Sequence, residues 1–214
     1  MAKTTGGLLS LGASGTIAKT LTFSKWKGQN YVRQRVIPAN PRSTAQTEVR
    51  GAFAFASNIW KNMGSLGIAP WNSFALGQVL TGRNAFIGQF TRDNQGQADL
   101  SNLVMSPGSK GGIALTSLAL AAGANQITAT CTPPTPPTGW TLTSVTAIAI
   151  LDQDPSAPTE FTTVADEDLA APYEIVLTGL TTAVLYQVAA WPVWAKPDGT
   201  VAYGASLLDS ETPT

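Results

Sequence analysis

From residue 16 to 37 apolar and polar side chains alternate, with Leu21 and Phe23 set between Lys19 and Lys25, followed by Tyr31, Arg33 and Arg35 two apart. A period of two predicts strands. Lys27-Gly28-Gln29-Asn30 lies between the two arms, and Gly28 accepts the positive φ of a tight turn. The spacing predicts a strongly basic β-hairpin. Pro38 and Pro41 then break any ladder, because neither has an N–H to donate, and Asn40 before Pro41 is pushed towards extended backbone. Ser43 with Gln46 fits a capping box, and Glu48 puts negative charge near the positive end of a helix dipole. Beyond it the period changes to three and four. Val49, Phe53, Ala56, Ile59/Trp60 and Met63 predict a helix to about Met63, with Gly64 as its stop. A second helix is predicted after Pro70, with Trp71 and Phe74 on one face, and residues 84–90 either continue it or form a short turn.

Residues 91–112 turn polar and glycine-rich and read as a linker. From residue 113 onward the pattern is short Thr/Val/Ile/Ala runs between turns: NQITATCT, LTSVTAIAIL, EFTTV, YEIVLTGL, LYQVAAWPVWA and TVAYGASLL. Strands at this spacing suggest a β-sandwich. Lys196-Pro197-Asp198-Gly199 predicts a hairpin turn, and residues 133–139, PPTPPTG, predict a stiff loop. The expected organisation is an α+β domain of basic hairpin plus helices over 1–110, the linker 91–112, and an acidic all-β sandwich over 113–214.

Charge sharpens this division. Residues 1–110 hold 12 of the 13 Lys+Arg and 3 of the 13 Asp+Glu; residues 111–214 hold one Lys and ten acids, so a net balance of +9 meets one of −9. Such asymmetry marks different surface chemistry, or self-assembly in which the basic half of one copy lies near the acidic half of another. Charged residues make up only 12% of the 214, about half the usual share, which suits a protein held in a crowded assembly. No stretch is long enough to span a membrane. The N-terminal apolar run is too broken by Gly and Ser for a signal peptide, so the expectation is a soluble protein made in the cytoplasm.

Candidate chemistry is sparse. The chain has no His and one Cys, Cys131, which removes Ser-His and Cys-His nucleophiles, His-ligated metals and an internal disulfide. Cys131 lies in an apolar, strand-like stretch and reads as a core residue. Residues 7–14, GLLSLGAS, have the glycine spacing of a phosphate loop but lack its lysine and preceding strand, and read as a flexible terminus. Asp152, Asp154 and Asp166-Glu167-Asp168 follow no calcium-loop pattern and fall in predicted loops. No catalytic residue, cofactor or metal is expected. Lys19, Lys25, Lys27, Arg33, Arg35 and Arg42 are the candidate assembly interface, with nucleic acid the runner-up partner because Trp26 and Tyr31 interleave with the cations. Trp191 and Trp194, near a sheet end, are candidate ligand or sugar stackers, ranked below a core role.

Two resemblances add to this reading. Residues 14–53, with the basic hairpin, the joint Asn40-Pro41-Arg42-Ser43-Thr44-Ala45-Gln46 and a helix with aromatic anchors, resemble a group of tailed-bacteriophage and prophage structural proteins; FASNIWKNMG and PWNSFA look like the two-helix continuation seen there. This implies a non-enzymatic virion component of the neck, tail or capsid exterior, partnered by its own copies and other virion proteins. LTGLTTAVLYQVAAW, with Leu180 six residues before Tyr186, resembles the E–F corner of fibronectin type III and other immunoglobulin-like modules. That implies an immunoglobulin-like sandwich, and leaves a receptor- or carbohydrate-binding appendage and a DNA-binding packaging factor as alternative functions.

Overall fold

The computed structural model describes residues 14–37, 39–40, 42–109 and 112–214. Pro38, Pro41 and nearly all of the glycine-spaced run at 7–14 lie outside the described residues. The chain divides into two compact units, 1–42 and 43–214.

The first unit is a three-stranded antiparallel ribbon, β1 (Gly15–Ile17), β2 (Leu21–Trp26) and β3 (Gln29–Gln34), in that order. The expected hairpin is its β2–β3 part. Lys27 and Gly28 form the two-residue turn, both at positive φ (48° and 85°), the geometry that matches the twist of the flanking strands.

The second unit is mixed α+β with a β-rich C-terminal part. Helices α1 (Thr44–Asn62), α2 (Gly64–Ala75) and α3 (Gly82–Asn94) come first. Strands follow: β4 (Ser117–Gly123), β5 (Gln126–Thr132), β6 (Thr141–Leu151), β7 (Thr163–Asp168), β8 (Glu174–Thr178), β9 (Tyr186–Ala195), β10 (Val201–Tyr203) and β11 (Leu207–Glu211). One sheet runs β4-β5-β8; the larger runs β10-β9-β6-β7, with β11 also on β9.

Both faces of the larger sheet are covered. Val145, Ala147, Ala149, Val188 and Ala190 meet Ile127, Ala129, Cys131, Ile175 and Leu177 of the smaller sheet. Ile148, Ile150, Ala189 and Trp191 meet Phe55, Ile59, Met63, Trp71, Phe86 and Phe90 of the helices. This explains why AIAI (147–150) and VAAW (188–191) are apolar without alternation: a strand buried on two faces is apolar at nearly every position. Phe55 and Phe90 stack edge to face at 5.6 Å, as do Trp71 and Phe86 at 5.3 Å. At the β8–β9 connection the Thr181 N–H donates to the Tyr186 hydroxyl at 3.1 Å.

This layering corrects the expected domain boundary. The helices share a core with the strands, so the division falls at residue 42 and not in 91–112. Within the expected linker α3 continues to Asn94, and Leu100, Leu103 and Met105 are buried. The Met105 carbonyl accepts the Trp71 indole N–H at 2.7 Å, and Ser106 Oγ donates to the Gly204 carbonyl at 2.6 Å. Polar composition concealed three deep anchors.

The helix readings need smaller corrections. Ser43 is the N-cap of α1, but its side chain makes no capping bond. The buried stripe is Ala52, Phe55, Ala56, Ile59 and Met63, while Val49 and Phe53 face outward. Gly51 explains the rotation, because a Cβ there would collide with the Ser156 backbone carbonyl; the helix is pressed inward on its small residues. The second helix starts at Gly64, before Pro70, which is buried inside it, and α3 is a separate helix capped by Thr81. Asp166, Glu167 and Asp168 lie in strand β7, not in a loop. No helix among the described residues is long and apolar enough to cross a membrane.

Candidate assembly interface

Cross-strand register fixes which ribbon side chains share a face. Thr22 opposes Arg33, Ser24 opposes Tyr31 and Trp26 opposes Gln29; on the other face Phe23 opposes Val32 and Lys25 opposes Asn30. The six expected interface cations are therefore not gathered on one face. Arg33 shares its face with Tyr31 and Trp26, and Lys25 lies on the Phe23 face. Lys19, at φ 57°, occupies the β1–β2 turn. Lys27 sits in the β2–β3 turn, its ammonium 5.1 Å from the centre of the Trp26 ring. Arg35 lies just past β3, where its backbone N–H donates to the Thr20 carbonyl at 2.6 Å. Arg42, at φ 33°, ends the unit. All six are exposed.

Divided at residue 42, the charge split leaves no acid on the N-terminal side. Residues 1–42 hold seven Lys+Arg and no acid, net +7; residues 43–214 hold six Lys+Arg and thirteen acids, net −7. Apolar side chains share the ribbon surface with these cations. Among the described residues of this unit Phe23 is the one buried hydrophobic, while Leu21, Trp26, Tyr31, Val32, Val36 and Ile37 are exposed.

Trp191 and Trp194 do not form a stacking site. Both are fully buried, Trp191 under the helices and Trp194 with its indole N–H donating to the Ile113 carbonyl at 2.9 Å. A buried ring offers no face to a sugar. The acids hold backbone N–H groups: Asp152 accepts the Leu100 N–H at 2.8 Å, Asp154 the Ser156 N–H at 2.7 Å, and Asp168 the N–H groups of Ala170 and Glu174. Among the described residues no group of three or more His, Cys, Asp or Glu comes together to hold a metal. Burial disfavours the Cys131 thiolate and pushes the thiol up to about 11, and the side chain packs in the core between the two sheets. The Asp198 carboxyl is held below its ordinary value mainly by the Thr200 hydroxyl, in the turn expected at 196–199.

A second surface escaped the sequence reading. Phe53 of α1 and Arg83, Asn84, Ile87, Gly88, Thr91, Arg92 and Gln95 on and just beyond α3 line an open groove of about 710 Å³. Its signal was present in Phe53, whose apolarity the helical spacing assigns to the core.

No family model and no curated protein matches the chain. Among solved structures, one described as a myokine structure is similar over 48% of this chain and 99% of its own, at 10% identity and a TM-score of 0.35, too slight a likeness to carry an argument.

Proposed function

We propose that the chain is a non-enzymatic structural component of a tailed-phage particle, at the neck, tail or capsid exterior, docked through its basic N-terminal part. The observation that supports this most is the outer half of the ribbon. Residues 29–37 are exposed throughout, carry cations without an acid, and present Val32, Val36 and Ile37 to solvent. A three-stranded ribbon with one buried apolar side chain among its described residues falls below what is stable alone in water, and a covered place in an assembly accounts for it. Within the body, a β4-β5-β8 sheet against a sheet of β10 and β11, β9, β6 and β7, with the Tyr186 hydroxyl bonded back to Thr181, supports an immunoglobulin-like sandwich of the fibronectin type III kind. The helices are then an added layer on its outer face.

Mass spectrometry of purified particles should find the chain. In a complementation assay Arg33→Glu/Arg35→Glu should lower copies per particle by about tenfold or more, since reversing both guanidinium groups sets like charges against the docking surface. Absence from particles, or equal incorporation of the variant, would remove the reading.

Trp26, Tyr31 and Arg33 on one exposed face favour a second reading, contact with nucleic acid through phosphates and stacked bases. Binding through about five phosphates would weaken steeply with salt; a gel-shift at low salt without a retarded band would exclude it.

A further inference from the structure

We infer that the chain self-associates by strand addition, with β3 and the residues after it in one copy pairing with the outer edge of β7 in another. This rests on the ribbon being an assembly element and not on which particle carries it. Among the described residues β3 is the last strand of its sheet and pairs with β2 alone, and β7 is the last strand of the larger sheet and pairs with β6 alone. A strand edge of unpaired N–H and C=O groups is a template for another chain.

The side chains select the partner. Arg33 and Arg35 are two apart, so they share a face, and so do Asp166 and Asp168. One antiparallel register places Arg33 opposite Asp168 and Arg35 opposite Asp166. The same register sets Val32 opposite Leu169, Val36 opposite Ala165 and Ile37 opposite Val164. Leu169, Val36 and Ile37 are 68%, 71% and 75% exposed, so this register would cover three large apolar side chains now open to water. Gln34 faces Glu167, whose N–H is held by its neighbour's carboxylate, Asp166 Oδ1, at 2.9 Å; strand addition replaces that local bond with a backbone one. Pro38 follows Ile37 and ends the ladder. A shift by one residue would set one arginine against Glu167 and the other against Ala165 or Leu169, and leave both aspartates without a cation, so charge and apolarity agree on one register. Because the surfaces differ, the contact is heterologous and builds a reciprocal pair, a ring or an open filament.

The test uses the full-length chain and two charge-exchanged variants, Arg33→Asp/Arg35→Asp and Asp166→Arg/Asp168→Arg, with folding checked by circular dichroism. By analytical ultracentrifugation at low salt the parent chain should associate with concentration. Each variant alone should associate about 100-fold more weakly, since both pairs become like-charged. An equimolar mixture of the two variants should regain association, because each then meets its complement. A parent chain that stays monomeric, or a mixture that stays monomeric while both variants are folded, overturns the inference. So does a monomeric parent that binds duplex DNA. Loss of particle incorporation in the arginine variant, from a chain monomeric in solution, would overturn this contact and leave the proposed function standing.

Discussion

The ribbon and the body are built from one chain by different means. The body buries aromatic and aliphatic side chains in two clusters on either side of a single sheet. The ribbon buries Phe23 and exposes most of its remaining large apolar side chains. The body is net −7 and the ribbon net +7. Local chemistry, a turn with both residues at positive φ and alternating strands, is enough to shape the ribbon but not to cover it. The contrast teaches that an element's form and its stability have separate sources, and that the second can lie outside the chain.

The most severe way to break this contrast is to cut the body where composition changes. A fragment of residues 113–214 would expose the helix-facing side chains Ile148, Ile150, Ala189 and Trp191 to water. It should aggregate or lack a cooperative thermal transition, whereas residues 43–214 should melt with a midpoint within about 2 °C of the full chain, a shift of about 1 kcal/mol or less. A monomeric, cooperatively melting 113–214 would return the boundary to the linker.

The same substitution in both regions sharpens the comparison. Trp71→Ala removes a buried ring and strips the Met105 carbonyl of its donor, and should cost about 3–5 kcal/mol in urea unfolding. Trp26→Ala, in the ribbon, should change that transition by about 0.5 kcal/mol or less, because its ring is 69% exposed. Similar costs would show that the ribbon is part of the body's cooperative unit.

What could be read in advance follows the same line. The hairpin turn at Lys27-Gly28, the turn at 196–199 and the strands of the larger sheet's centre were legible because their signals lie within a few residues. Leu100, Leu103 and Met105 were not, because three apolar residues among polar ones become anchors only when the Trp71 indole and the Gly204 carbonyl arrive from elsewhere in the chain. Phe53 was misread because Gly51 and Ala52, which make the contact, carry almost no hydrophobic signal. Trp191 and Trp194 were ambiguous for a related reason, since a sheet covered on two faces cannot be told by composition from one with an open end. Asp166-Glu167-Asp168 read as loop because acids are depleted from strands, yet an edge strand places them at solvent.

The smallest effect is expected at the junction itself. Ser43 has the extended backbone of an N-cap (φ −62°, ψ 155°) but makes no side-chain bond to the helix. Thr81 caps α3 with its hydroxyl, which accepts the Asn84 N–H at 3.3 Å. A working cap contributes roughly 0.5–2 kcal/mol. Thr81→Ala should therefore cost about 1 kcal/mol, and Ser43→Ala about 0.3 kcal/mol or less, read from urea midpoints at a common slope. The difference matters because Ser43 is the first residue of the body. If α1 is held by Phe55, Ala56 and Ile59 against the sheet, its first turn can loosen without effect on the rest. A cost at Ser43 as large as at Thr81 would mean that the body is anchored through its joint with the ribbon, and the two regions would not be separable in stability.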